Sequence, residues 1–144
     1  MKILLAEDDP FHARVIGQEL KKEFGRKTQI HPVSTEKQFR QEFLGDWDLA
    51  VVDEMMPWTS EEDPEPYAEA PEEGPLRAGT RCYKLLRSTE ATKDVPVVFL
   101  TNLDPDAVPE EAKNAYVRKS IDFKPLIKKI QQVLGEGHKK AVKP

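Results

Sequence analysis

Short apolar runs alternate along this chain with segments of helical period, which is the pattern of strands joined by crossover helices. The strand-like runs are 2–6 (KILLA), 28–33, 48–53 (DLAVVD), 95–101 (VPVVFLT) and 115–118 (AYVR). Leu49 to Val52 is an unbroken apolar stretch, as a central parallel strand covered on both faces requires. Five such strands with intervening helices predict an α/β fold, a doubly wound parallel sheet.

The helices announce themselves by caps and periodicity. Asp9 followed by Pro10 marks a start, with Phe11, Val15, Ile16, Leu20 and Phe24 on one face and Gly25 as the stop. Ser34 and Thr35 cap a second helix with Phe39, Phe43 and Leu44 turned inward, and a third carries Cys82, Tyr83, Leu85 and Leu86. The last helix repeats Phe123, Leu126, Ile127, Ile130, Val133 and Leu134 at helical spacing. Residues 59–78 break the alternation. They contain seven acids, one base and four prolines, a composition that predicts a mobile surface loop inserted within the domain.

The 144 residues suit one domain, expected over 1–134, with 135–144 as a flexible basic tail. A net charge of −4 does not favour a nucleic-acid or anionic-membrane surface, and no apolar stretch approaches the ~20 residues of a membrane span. A single cysteine and no leader-like start predict a cytoplasmic protein, monomeric or weakly dimeric, that meets protein partners. His12, His31 and His138 show no ligand spacing and read as structural or exposed.

In open parallel sheets, ligands gather at the carboxyl ends of the strands. Glu7 and Asp8 follow the first strand, Asp53 ends the third, Thr101 ends the fourth and Lys119 follows the fifth, so all fall on one edge. Three carboxylates in one pocket repel each other unless a hard cation sits among them, and oxygen ligands of this kind suit Mg²⁺. An aspartate beside such an ion can attack phosphorus, with a lysine and a hydroxyl to neutralise the new charge.

These residues resemble the receiver domain of the response-regulator family, over nearly the whole length apart from the insertion and the last ten or so residues. The match rests on the pair Glu7 and Asp8, the run Asp53-Glu54-Met55-Met56-Pro57, Thr101 after VVFL, and Tyr116-Val117-Arg118-Lys119. The resemblance implies a stand-alone receiver with the flavodoxin-like order 2-1-3-4-5 in a three-layer sandwich. It implies Asp53 as phosphoacceptor, and Mg²⁺ (or Mn²⁺) held by Asp8, Asp53, Glu7 through water and the Met55 backbone carbonyl. Thr101 and Tyr116 become the switch pair. A histidine kinase or histidine phosphotransfer protein becomes the donor, a further protein the target. Beyond its own phosphorylation and dephosphorylation, no enzymatic turnover is expected.

The chain also departs from the family's pattern. Ser120 stands where a proline usually follows the lysine, the larger Asn102 follows the switch threonine, and only eighteen positions separate Thr101 from Lys119. The helix beginning near Pro109 should therefore be short. Two other readings stay open: a pseudo-receiver that signals without phosphate, and a phosphohydrolase with an aspartyl-phosphate intermediate. The second expects an Asp-x-Asp after the first strand, where this chain has Glu7-Asp8-Asp9-Pro10.

Overall fold

The computed structural model describes residues 1–142, with side chains to Gly135, and forms the expected five-stranded parallel sheet in the order β2-β1-β3-β4-β5. The chain runs β1 (Lys2–Ala6), α1 (Pro10–Phe24), β2 (Gln29–Val33), α2 (Glu36–Glu42), β3 (Leu49–Val52), α3 (Ala78–Ser88), β4 (Val97–Thr101), β5 (Tyr116–Arg118) and α4 (Lys124–Val142). Alternate strand residues face opposite layers. Ile3, Leu5, Val51, Val98 and Leu100 pack beneath α1 and α4, against Ile16, Leu20, Leu126 and Ile130. Leu4, Ala6, Val52 and Phe99 face α2 and α3, against Phe39, Cys82 and Leu86. This is the doubly wound, three-layer sandwich, and both faces of β3 are buried as its apolar run requires.

Local signals set the helix ends. The Asp9 carboxylate accepts from the amides of Phe11 (2.9 Å) and His12 (3.3 Å), Pro10 opens α1, and Gly25 closes it at φ 105°. Thr35 caps α2 through the Gln38 amide, 3.0 Å away. The buried stripe of α1 is Ala13, Ile16, Gly17 and Leu20. Phe11 lies two positions, about 200° of helix turn, from Ala13, so it is 65% exposed rather than inward. Leu44 is also exposed, because α2 has already ended at Glu42.

The segment near Pro109 is short, as expected, and the stretch expected to be a tail differs. The short helix near Pro109 is a 3₁₀ helix, Glu110–Ala115, packed through Val108 and Ala112. α4 continues to Val142, through much of the stretch expected to be a tail, because extending a packed helix costs far less than starting one. Residues 143 and 144, and the side chain of His138, lie outside the described residues. No described helix is long and apolar enough to cross a membrane.

The acidic insertion is tied to the body at several points. The amides of Glu36 and Lys37 donate to the carbonyls of Pro57 (2.9 Å) and Trp58 (2.8 Å), and the Met56 amide donates to Pro75 (3.1 Å). Lys37 Nζ pairs with Asp63 at 2.9 Å, and Trp58 Nε1 donates to the Ala68 carbonyl at 2.9 Å. The insertion ends in a 3₁₀ turn, Pro75–Arg77, and delivers the buried Ala78 as the first residue of α3.

Candidate phosphoryl and metal site

The β1–β3 register brings Ala6 beside Val52, so the residues just past both strands emerge at one place. The Asp53 amide donates to the Ala6 carbonyl (3.0 Å) and the Glu7 amide to the Val33 carbonyl (3.0 Å), which carries the pairing one residue beyond the strands. A carboxylate oxygen from each of Glu7, Asp8 and Asp53 lies within 4.8 Å of the others. Lys119, whose amide donates a hydrogen bond to the Thr101 carbonyl (3.0 Å) at the end of β5, reaches back with Nζ 2.6 Å from Asp53 Oδ2 and 2.7 Å from Glu7 Oε2. These residues edge a cavity of about 490 Å³ that Met55, Asn102 and Ser120 also line.

The electrostatics follow from burial. Glu7 is nearly inaccessible, and burial pushes its carboxyl up by more than the Lys119 ammonium and the Asp9 amide bring it down. Burial would lower the Lys119 ammonium, but its hydrogen bonds to Asp53 and Glu7 prevail and hold it above the ordinary lysine value. One ammonium thus pairs with two of the three carboxyl groups. Asp8 is exposed and makes no ion pair among the described residues. A set of three carboxylates converging on one side, one of them without a partner, fits a hard divalent cation bound through oxygen. Asp53, only 4% exposed, keeps Oδ1 on the Met55 amide at 3.1 Å, which orients its carboxylate into the cavity.

Gly79 fixes the floor. A Cβ there would lie 2.5 Å from the Asp53 carbonyl oxygen and 2.8 Å from Glu54 Cα. Only glycine lets α3 approach the Asp53 loop this closely, and the Gly79 amide uses that approach to donate to the Glu54 carbonyl at 3.0 Å. The buried Glu54 carboxylate accepts from the Thr80 amide (2.7 Å) and hydroxyl (2.5 Å), so the loop is fastened to the first turn of α3 twice more. Burial raises the Glu54 carboxyl despite both bonds.

Thr101 and Tyr116 converge on one residue, Leu103. The fully buried Thr101 hydroxyl accepts from the Leu103 amide at 3.2 Å, while the half-buried Tyr116 hydroxyl donates to the Leu103 carbonyl at 2.7 Å. Arg118 braces the same loop by donating to the Asn102 carbonyl at 3.0 Å and pairing with Asp104. There is no cis peptide bond among the described residues, so the Lys119–Ser120 bond is trans.

All the residues singled out from sequence are therefore brought to one edge, with Tyr116 one shell behind Thr101. His12 was missed. Read as structural, it lies in the first turn of α1 against the cavity, with Nδ1 3.5 Å from Glu7 Oε2. His31 pairs with Glu42 at 2.7 Å, away from the site.

No protein-family model matches the sequence, and no curated protein does. Solved structures do resemble it. The response regulator TrrA of Thermotoga maritima, in complex with Mg²⁺-BeF, shares 22% identity with a TM-score of 0.64, covering 92% of this chain and 97% of that one. The same regulator in complex with the histidine kinase ThkA gives 23% and 0.65, over 92% and 97%. The N-terminal domain of a response regulator/sensory box/GGDEF three-domain protein from Carboxydothermus hydrogenoformans gives 22% and 0.64, over 98% and 99%. The fold is that of response-regulator receiver domains.

Proposed function

We propose that this chain is a phospho-accepting receiver module, in which Asp53 takes a phosphoryl group and the change is read by another protein. The observation that carries this reading is the convergence of Lys119 Nζ on Asp53 at 2.6 Å beside the Glu7 and Asp8 carboxylates. An Asp53 oxygen attacks phosphorus, a new oxygen–phosphorus bond forms, and the donor's bond to phosphorus breaks, its electron pair leaving with the donor group. Lys119 can follow the charge from the carboxylate to the phosphoryl oxygens. Mg²⁺ or Mn²⁺ held by Glu7, Asp8 and Asp53, with the Met55 carbonyl as the family resemblance implies, would offset the charge of the incoming phosphoryl group. A histidine kinase or histidine phosphotransfer protein is the proposed donor, and turnover beyond self-phosphorylation and dephosphorylation is not part of the reading.

Thr101 supports a specific route outward. Its hydroxyl now uses an acceptor lone pair on Leu103, and its own proton has no acceptor among the described residues. Donating that proton to a phosphoryl oxygen draws the hydroxyl toward Asp53 and loosens the Leu103 amide. Leu103 is also the acceptor of Tyr116, so the ring is released with the loop. Adding Mg²⁺ and beryllofluoride, a phosphoryl mimic, to ¹⁵N-labelled protein tests the reading. It expects amide shifts that spread from Asp53 to Thr101, Leu103 and Tyr116. Shifts confined to residues 53–57, or none, would contradict it.

A further inference from the structure

Beyond the phosphoryl site, the insertion forms a second concave surface, on the α2–α3 side of the molecule. It is a groove of about 620 Å³ lined by Trp58, Pro66, Tyr67, Pro71 and Pro75, with Arg81 at its base. We propose that this groove docks a positively charged segment of a partner protein through an apolar anchor side chain. Its volume lies within the ~300–1,000 Å³ range of ligand pockets.

Two observations point to an interaction surface. Tyr67 is 87% exposed, an aromatic ring held out at the groove's rim. The groove is also built in advance: Arg81 donates to Glu36 (2.8 and 2.7 Å) and to the Gly74 carbonyl (2.7 Å), and Trp58 is held by the Ala68 carbonyl. Together with the Lys37–Asp63 pair, these contacts hold the groove in shape before anything binds, which lowers the ordering cost of association.

Charge selects the occupant. Of the seven insertion carboxylates only Asp63 has an ion-pair partner among the described residues, leaving Glu61 exposed on the groove's lining and Glu62, Glu65, Glu69, Glu72 and Glu73 exposed in the segment that forms it. The segment's one base, Arg77, is turned away to donate to the Ala107 carbonyl at 3.0 Å. A field of this sign steers lysine- and arginine-bearing segments in and repels anionic ones. A second copy of this chain, at net −4 and bearing the same acidic insertion, is a poor occupant.

A titration of the full ¹⁵N-labelled chain, followed by NMR, tests the proposal with three synthetic peptides. One places lysines on both sides of a central leucine, one replaces those lysines by glutamate, and one replaces the leucine by glycine. The lysine–leucine peptide should shift the Trp58 indole N–H and the amides of Tyr67 and Gly74, with affinity falling as salt rises. Binding should weaken about tenfold for the glycine peptide and for the Tyr67→Ala protein, and vanish for the glutamate peptide. Asp53→Asn should bind as the parent does, which separates this result from the phosphoryl reading. No shift at millimolar peptide, shifts centred on Glu7 and Asp8 instead, equal binding of the glycine peptide, or groove shifts that depend on protein concentration alone would each overturn the proposal.

Discussion

Gly79→Ala probes the tightest site among the described glycines. The added Cβ would meet the Asp53 carbonyl oxygen at 2.5 Å. An unstrained carbon–oxygen contact is about 3.3 Å, so either α3 or the Asp53 loop must retreat by about 0.8 Å. Neither moves freely, because the Gly79 amide, the Thr80 amide and the Thr80 hydroxyl all bind Glu54. Overpacking of this kind costs about 1–3 kcal/mol, and the clash with backbone puts it at the upper end; the better helix propensity of alanine returns about 1 kcal/mol. The net expectation is a loss of about 2 kcal/mol in urea unfolding. Displacing a reacting group by nearly 1 Å can cost up to about 100-fold in rate, so phosphoryl uptake from acetyl phosphate should fall at least severalfold. Gly135→Ala is the control: nothing lies within 4 Å of its Cβ, and it should gain up to about 1 kcal/mol. If Gly79→Ala behaves like Gly135→Ala and takes up phosphate normally, the argument from close approach is wrong.

Arg81→Met leaves Glu36, whose side chain is 1% exposed, with only Arg40 at 3.6 Å, and should cost about 3 kcal/mol in urea unfolding. The double variant Glu36→Met/Arg81→Met should recover most of that, and a single-variant cost below about 1 kcal/mol would contradict the buried pair. Hydrogen bonds from Lys37, the Glu65 amide and Thr59 lower the Asp63 carboxyl from 3.8 to about 2. A depressed folded value means that this contact is fully present above about 3.8 and is lost as pH falls through about 2. A ¹³C carboxyl titration should show that midpoint, and Lys37→Met should move it back up. Lys119→Ala should keep Mn²⁺ binding, measured by water-proton relaxation, while losing most phosphoryl uptake, because the proposed metal contacts come from other residues.

The sheet and the edge that carries the candidate site were legible because each strand's apolar run stops on a polar residue. Ala6 to Glu7, Val52 to Asp53 and Leu100 to Thr101 are boundaries visible in the sequence, and Asp9-Pro10 and Thr35 mark helix starts by local chemistry. What stayed hidden depends on partners far away along the chain. Glu36 and Arg81 are 45 residues apart, and nothing in either neighbourhood forecasts a bidentate pair that anchors the insertion. Gly79 reads locally as a weak helix residue; only the approach of α3 to Asp53 explains it. The insertion's composition spoke for a mobile loop because its fastening groups, Lys37, Glu36 and Arg81, lie outside it. Phe11 and Leu44 were misplaced because apolar character was read without the helix phase or the helix end.

The account rests most heavily on Asp53 as the acceptor. Intact-mass measurement after incubation with acetyl phosphate and Mg²⁺ tests this directly, on the parent protein and on Asp53→Asn. The expected result is one phosphoryl group per chain for the parent, none when the metal is chelated, and none for Asp53→Asn, whose amide is a poor nucleophile. Labelling that persists in Asp53→Asn, or a parent protein that takes up nothing while its fold is intact, would contradict the central claim.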